Sequence, residues 1–167
     1  MVAERGITIR EARPAEFEAV ADLVVEAYDA IAEADDGYLP ELRDVAARAA
    51  QVPVLVAVDD ATGRVLGSVT YVPGPGPWHE GEFGASASFR MLAVVADAQG
   101  RGVGRALVER CIELARADGR PAIGIYTRPS MTAAQRLYER LGFHRAQEID
   151  WEFDPGEWLL AYRLELR

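Results

Sequence analysis

The chain has 167 residues, half of them apolar, and its 27 acidic against 18 basic side chains give a net charge of −9. That length and composition suit one globular domain, residues 1–167, with a real core. They exclude general nucleic-acid binding, which needs a basic surface, a membrane-spanning helix, since no apolar run is long enough, and an intramolecular disulfide, since Cys111 is alone.

No basic start leads into a signal-peptide core, so the expected compartment is the cytoplasm. All 18 basic residues are arginine, which leaves no lysine side chain to modify. Ile7–Arg10 alternates apolar and polar and reads as a first strand. Pro14 suits the opening turn of a helix, in which Phe17, Val20, Leu23, Val24 and Ala27 recur at helical spacing to about Tyr28. Ala30–Leu39 is a connection carrying Asp35, Asp36 and Tyr38. Pro40 starts a second helix, with Leu42, Val45, Ala46 and Ala49 on its inner side.

Val54–Val58 and Val65–Val72 read as a hairpin joined through Asp59–Gly63. Pro73–Ala87 is a long irregular segment holding Trp78, His79, Glu80, Glu82 and Phe83; loops of that length are functional or mobile. One histidine among acidic residues lacks the spacing of a zinc motif, so no metal is expected. Ser88–Val95 is an apolar strand. Gly104–Asp118 is an amphipathic helix with Leu107, Cys111, Leu114 and Ala115 on one face, stopped by Gly119 and Pro121. Ala122–Thr127 is another apolar strand. Ser130 can cap the helix from Met131 to Leu141, and Gly142 stops it. Phe143–Phe153 and Trp158–Leu166 read as two last strands around a turn at Asp154–Gly156. The class is α/β, an α+β mixed sheet with helices on both faces, in the order β-α-α-β-β-β-α-β-α-β-β.

Between the strand at Ser88–Val95 and the helix from Gly104 lies Gln99-Gly100-Arg101-Gly102-Val103-Gly104. Strand, glycine turn and helix together make an anion site: glycines let backbone N–H groups converge, and the helix N-terminus adds unpaired donors and partial positive charge. No Gly-Lys-Ser/Thr follows, and Arg105 stands where a dinucleotide fingerprint needs glycine or alanine.

The turn fits Gln-x-x-Gly-x-Gly, and Ala134-x-x-Leu137-Tyr138-Glu139-x-x-Gly142-Phe143 follows in order. With these two motifs the chain resembles the GNAT superfamily of N-acetyltransferases. The element order matches that family over nearly the whole chain; the specific motifs lie only within Ser88–Phe143. The resemblance implies an acyl-CoA N-acyltransferase fold and acetyl-coenzyme A as acyl donor. It implies transfer to a primary amine of a small molecule or a peptide N-terminus, by a monomer or homodimer with no nucleic-acid or membrane partner.

The same resemblance implies that the strands Phe89–Val95 and Ala122–Thr127 splay apart to admit the cofactor. Leu92, Ala93 and Val94 would pair with its pantetheine arm. Gln99, Gly100, Arg101, Gly102, Val103, Gly104, Arg105 and Ala106 would hold its pyrophosphate. Tyr138 matches the family's general acid; a phenol keeps its proton at neutral pH and can give it to a departing thiolate. The family's strand glutamate is replaced here by Ser88, which cannot serve as a base but could hold a water; Glu82, ahead of Glu80, is the leading candidate for the base, unless the acceptor arrives neutral and needs none. Met131 stands where the family often has asparagine, and Ser130 is the expected substitute contact. Acceptor contacts are expected from Asp36, Tyr38, Phe83 and Arg90, with Ser88 and Arg90 on one strand face. Carboxylates and aromatics in those segments favour an amine with an apolar or cationic portion over an acidic one. A non-catalytic acyl-CoA-binding module of the same fold is the alternative reading, and a small nucleotide-binding domain is disfavoured by the missing fingerprints.

Overall fold

The computed structural model describes residues 6–30, 39–79 and 81–166. Its elements are β1 (Ile7–Glu11), α1 (Phe17–Ala30), α2 (Leu39–Arg43), α3 (Val45–Ala49), β2 (Val54–Asp59), β3 (Val65–Val72), β4 (Ala87–Val94), α4 (Val103–Ala117), β5 (Ala122–Thr127), α5 (Thr132–Arg140), β6 (His144–Arg145), β7 (Trp151–Asp154) and β8 (Glu157–Glu165). They fall into two compact units, Met1–Tyr71 with Met91–Cys111, and Val72–Arg90 with Ile112–Arg167. β4 passes from the second unit into the first at Arg90–Met91.

In the first unit β1, β2 and β3 pair antiparallel in succession, and β4 follows β3. β2 is buried from Val54 to Val58, as a strand covered on both faces must be. Val54, Val56 and Val58 pack with Met91 and Ala93 of β4 against Val20 and Val24 of α1, Leu42 of α2 and Val45 of α3. The opposite face receives α4. A Cβ on Gly67 of β3 would fall 2.9 Å from Val103 Cγ1 and 3.1 Å from Leu107 Cδ1. Only glycine lets the helix lie this close to the strand.

The second helical stretch differs from its sequence reading. It is two one-turn helices broken at Asp44, whose carboxylate accepts the Ala47 N–H at 3.1 Å and caps α3. The break rotates the register, so Ala46 is exposed while Arg48 is fully buried. Arg48 donates to Glu41 O at 2.7 Å, tying α3 back to α2.

In the second unit β5 pairs antiparallel with β8 along its whole length, Ala122 opposite Glu165 through Thr127 opposite Leu160. β6 and β7 also pair with β8. The strand expected over Phe143–Phe153 is interrupted: β6 has two residues, and a single turn of 3₁₀ helix at Gln147–Ile149 precedes β7. Arg145 and Asp150 close this excursion through two 2.7 Å hydrogen bonds. Asp150 also accepts the Ala161 N–H, and Arg145 donates to Ala161 O. Side chains thus satisfy backbone groups that a continuous ladder would have paired. The Arg145 guanidinium holds the Asp150 carboxyl below the usual carboxylate range.

Candidate active site

The turn at Gln99–Gly104 belongs to the first unit. A short 3₁₀ turn at Ala96–Ala98 ends β4, and Gly100 and Gly102 follow at φ 84° and 78°. Side-chain residues rarely adopt that left-handed backbone. α4 begins at Val103, and Ala106 N–H bonds Gly102 O at 3.0 Å. Amides ahead of it, at Val103, Gly104 and Arg105, lie before the helical ladder, where an acceptor must come from outside the helix. Val103 and Ala106 are buried and anchor the turn; Gln99, Gly100 and Arg101 are exposed. Arg105 is exposed and bound at 2.6 Å to Glu109, one turn along α4. Cys111 is fully buried in α4 and its thiol is pushed far up by burial, which fits packing and not nucleophilic chemistry.

β4 carries the expected cofactor residues Leu92, Ala93 and Val94. Just before them Met91 has φ 57°, the one side-chain residue with positive φ among those described. A left-handed residue inside a strand costs of order 1–3 kcal/mol, and it turns the strand's backbone groups out of ladder alignment. In the second unit the parallel pairing of β4 with β5 is confined to Ala87 with Ile123 and Ser88 with Gly124. Phe89 and Arg90 have no register partner in β5, although β5 continues to Thr127. The ladder therefore stops just before the Met91 distortion. Nothing in the sequence of β4 signals that distortion.

Tyr138, near the end of α5, is 2% exposed. Its ring packs against Phe89 at 5.7 Å, Phe143 at 5.9 Å and Tyr162 at 6.1 Å between centroids. Ser130 is exposed and precedes α5. The cap position falls instead on Met131, which makes no side-chain cap bond. Gln135 reaches back to Arg128 O at 2.9 Å and holds the chain there.

The other face of β5 meets the segment before β4. Phe83 is buried, 4.8 Å from Tyr126, and a Cβ on Gly124 would fall 2.2 Å from its ring. Tyr126 donates its hydroxyl to Ile149 O at 2.7 Å and accepts the Glu82 N–H at 3.2 Å. Glu82 itself is exposed. Arg90 is half-buried, with its guanidinium 5.9 Å from the centre of the Trp78 ring and Nη1 at 3.5 Å from Trp78 O. Ser88, opposite Gly124, is buried, and its hydroxyl has no protein partner. Thus Phe83, Ser88 and Arg90 share this face with Tyr126, which the sequence reading did not single out. A glycine inside an apolar strand, Gly124, was the available signal for close approach. Asp35, Asp36, Tyr38 and Glu80 lie outside the described residues. Among the described residues no group of three or more His, Cys, Asp or Glu side chains could hold a metal ion, and no helix is long and apolar enough to cross a membrane.

The profile of the Acetyltransferase (GNAT) family matches residues 17–143. The chain belongs to that family. A GCN5-related N-acetyltransferase from Kribbella flavida is 31% identical, with TM-score 0.71 over 98% of this GNAT chain and 100% of that one. The yncA protein of Salmonella typhimurium, solved with its cofactor acetyl-CoA, is 25% identical, with TM-score 0.68 over 97% and 95%. The mixed α/β sheet expected from the sequence is the fold of these neighbours. A mycothiol acetyltransferase of an Arthrobacter species is 35% identical over 117 residues, 67% of this chain and 33% of that protein. An L-methionine sulfoximine/L-methionine sulfone acetyltransferase of Pseudomonas paraeruginosa is 34% identical over 117 residues, 68% of this chain and 64% of that protein. The matches to mycothiol acetyltransferases span only 26% to 33% of those proteins' length.

Proposed function

We propose that this GNAT chain is an acetyl-CoA-dependent N-acetyltransferase, moving an acetyl group directly to a primary amine of a small molecule or a peptide N-terminus. The observation that carries the reading is the turn at Gln99–Gly104, with two left-handed glycines opening onto the first turn of α4. A dianionic pyrophosphate fits such a turn because backbone donors and the helix dipole both favour negative charge. Arg101 adds an exposed positive charge; Arg105 is already paired with Glu109. Backbone groups at Leu92, Ala93 and Val94 would bond the pantetheine amides, and an N–H of β4 would stabilise the carbonyl oxygen as it gains charge. Ser130 is the further contact we assign to the pantetheine.

Tyr138 is the group we assign to protonate the departing thiolate. Its aromatic packing holds the ring in one orientation, as a proton donor needs. The amine side falls to the face around Phe83, with Arg90 as a further acceptor contact. The exposed Glu82 carboxylate would attract an ammonium as it arrives. Two relatives carry the name of an enzyme acetylating L-methionine sulfoximine and sulfone. Both compounds are amino acid derivatives with a primary amine, which supports a small amine here.

The test is acetyl transfer followed by mass spectrometry. The panel is L-methionine sulfone, spermidine, tryptamine, a short peptide, aspartate and glutamate. The reading expects an acetylated amine and free coenzyme A in equal amounts from a non-acidic acceptor. Turnover of the acidic acceptors alone would overturn the acceptor class. Binding of acetyl-CoA without any transfer would favour a non-catalytic acyl-CoA-binding module, the reading that serine at position 88 supports.

A further inference from the structure

The face that carries Phe83 also carries two buried polar atoms without a protein partner, His79 Nδ1 and Ser88 Oγ. Buried polar groups in folded proteins are almost always hydrogen-bonded, so each orphan calls for an explanation. Both border the same aromatic ring. The His79 ring stands edge-on to Phe83, with centroids 6.4 Å apart. Ser88 lies opposite Gly124 in parallel register, and Phe83 covers Gly124 so closely that a Cβ there would overlap its ring. Registered residues of neighbouring strands present their side chains to one face, so Ser88 Oγ lies on the face that Phe83 covers.

Other polar groups on this face are already committed or of the wrong kind. The Tyr126 hydroxyl donates to Ile149 O and accepts from Glu82 N–H. Arg90 is a cation lying over Trp78 and cannot accept a proton. The Glu82 carboxylate is exposed to solvent. Among the described residues, these three are the titratable and charged groups that β4, β5 and the segment's own turn bring to the face.

We propose that His79 is the proton acceptor of the transfer: its Nδ1 takes the proton from the acceptor amine, and Ser88 Oγ orients that amine. The proposal rests on the N-acetyltransferase reading above. A neutral primary amine has two N–H donors and one lone pair. Its two N–H groups match the two orphan acceptors, and its lone pair is left for the thioester carbon. Nδ1 can accept only in the tautomer that carries its proton on Nε2. As the new C–N bond forms and the C–S bond breaks, one amine proton passes to Nδ1. The thiolate takes a proton from Tyr138, and solvent returns the proton from His79 to Tyr138. Imidazole suits this step because a ring nitrogen with a lone pair can take the proton directly. Serine at position 88 is then a positioning residue in place of a base.

The test takes whichever amine of the panel the wild-type protein acetylates. His79→Gln is expected to lower kcat by roughly 10²-fold, to remove the low-pH limb of the kcat profile, and to leave the acetyl-CoA-induced rise in melting temperature intact. His79→Ala is expected to regain turnover when imidazole is added. Ser88→Ala is expected to raise KM more than it lowers kcat. Glu82→Gln is expected to keep the low-pH limb. Wild-type turnover and an intact limb in His79→Gln, or loss of the limb in Glu82→Gln instead, would overturn the proposal and leave the acetyltransferase reading standing. If acetyl-CoA binds but the wild-type protein acetylates no amine, that reading falls and His79 with it.

Discussion

The turn at Gln99–Gly104 presents backbone, whereas the face around Phe83 presents side chains. The turn depends on Gly100 and Gly102 in left-handed conformation and on the first amides of α4, all within a few residues of one another. The face collects Trp78, His79 and Phe83 from one segment, Ser88 and Arg90 from β4, and Gly124 and Tyr126 from β5. A site made of backbone needs particular residues at fixed spacing, since only glycine permits the conformation. A site made of side chains needs only that distant segments converge, and many sequences can supply such convergence. The first kind leaves a motif in the sequence; the second leaves none.

The largest effect that would sharpen this contrast comes from Tyr138. Its ring packs with Phe89, Phe143 and Tyr162, in neither the turn nor the Phe83 segment. Tyr138→Phe is therefore expected to lower kcat by roughly 10²-fold while the acetyl-CoA-induced rise in melting temperature stays as in the wild type. Steady-state kinetics beside a thermal-shift titration check it. Unchanged kcat would leave Tyr138 as an aromatic of the cluster with Phe89, Phe143 and Tyr162.

A smaller effect isolates the side-chain face. Gly124→Ala puts a Cβ 2.2 Å from the Phe83 ring, and overpacking of that kind costs typically about 1–3 kcal/mol. The melting temperature should fall accordingly, and Phe83→Leu in the same chain should restore part of the loss, because the two positions are coupled. Additive losses would mean that Phe83 does not rest on Gly124.

The same division accounts for what could be read before the fold was in hand. Strands Val54–Asp59, Val65–Val72 and Ala122–Thr127 are apolar and bounded by turn residues, and the glycine turn follows its strand as expected. Two elements depended on contacts that no local pattern encodes. The break at Asp44 follows from that carboxylate capping Ala47, which puts Arg48 inside and Ala46 outside. The interruption of Phe143–Phe153 follows from Arg145 and Asp150 meeting around Ala161. The left-handed Met91 is similar: a flexible methionine gives no sign that tertiary packing will hold it at φ 57°. His79 reads as one histidine among acids in the sequence, and only the fold sets its ring edge-on to Phe83.

The smallest effect concerns acid and a pair that belongs to neither region, Arg10 with Glu16. Hydrogen bonding from Arg10 is the main cause that brings the Glu16 carboxyl down to about 2. A depressed carboxyl stabilises the fold fully above the unfolded value, near ~4.3 for glutamate, and that contribution is lost as pH falls towards about 2. Glu16→Gln should flatten part of the acid limb of stability between those values, measured by denaturant midpoints across pH. An unchanged acid limb would mean that the pair contributes little.

The most direct measurement of the central claim is calorimetric titration of acetyl-CoA into the wild-type protein and into Gly102→Asp, each checked for folding by circular dichroism. Gly102 has φ 78°, so aspartate there strains the turn and adds a negative charge where we propose that the pyrophosphate binds. The account predicts saturable binding to the wild type and no detectable heat in a folded Gly102→Asp. Equal binding by both folded proteins would contradict it.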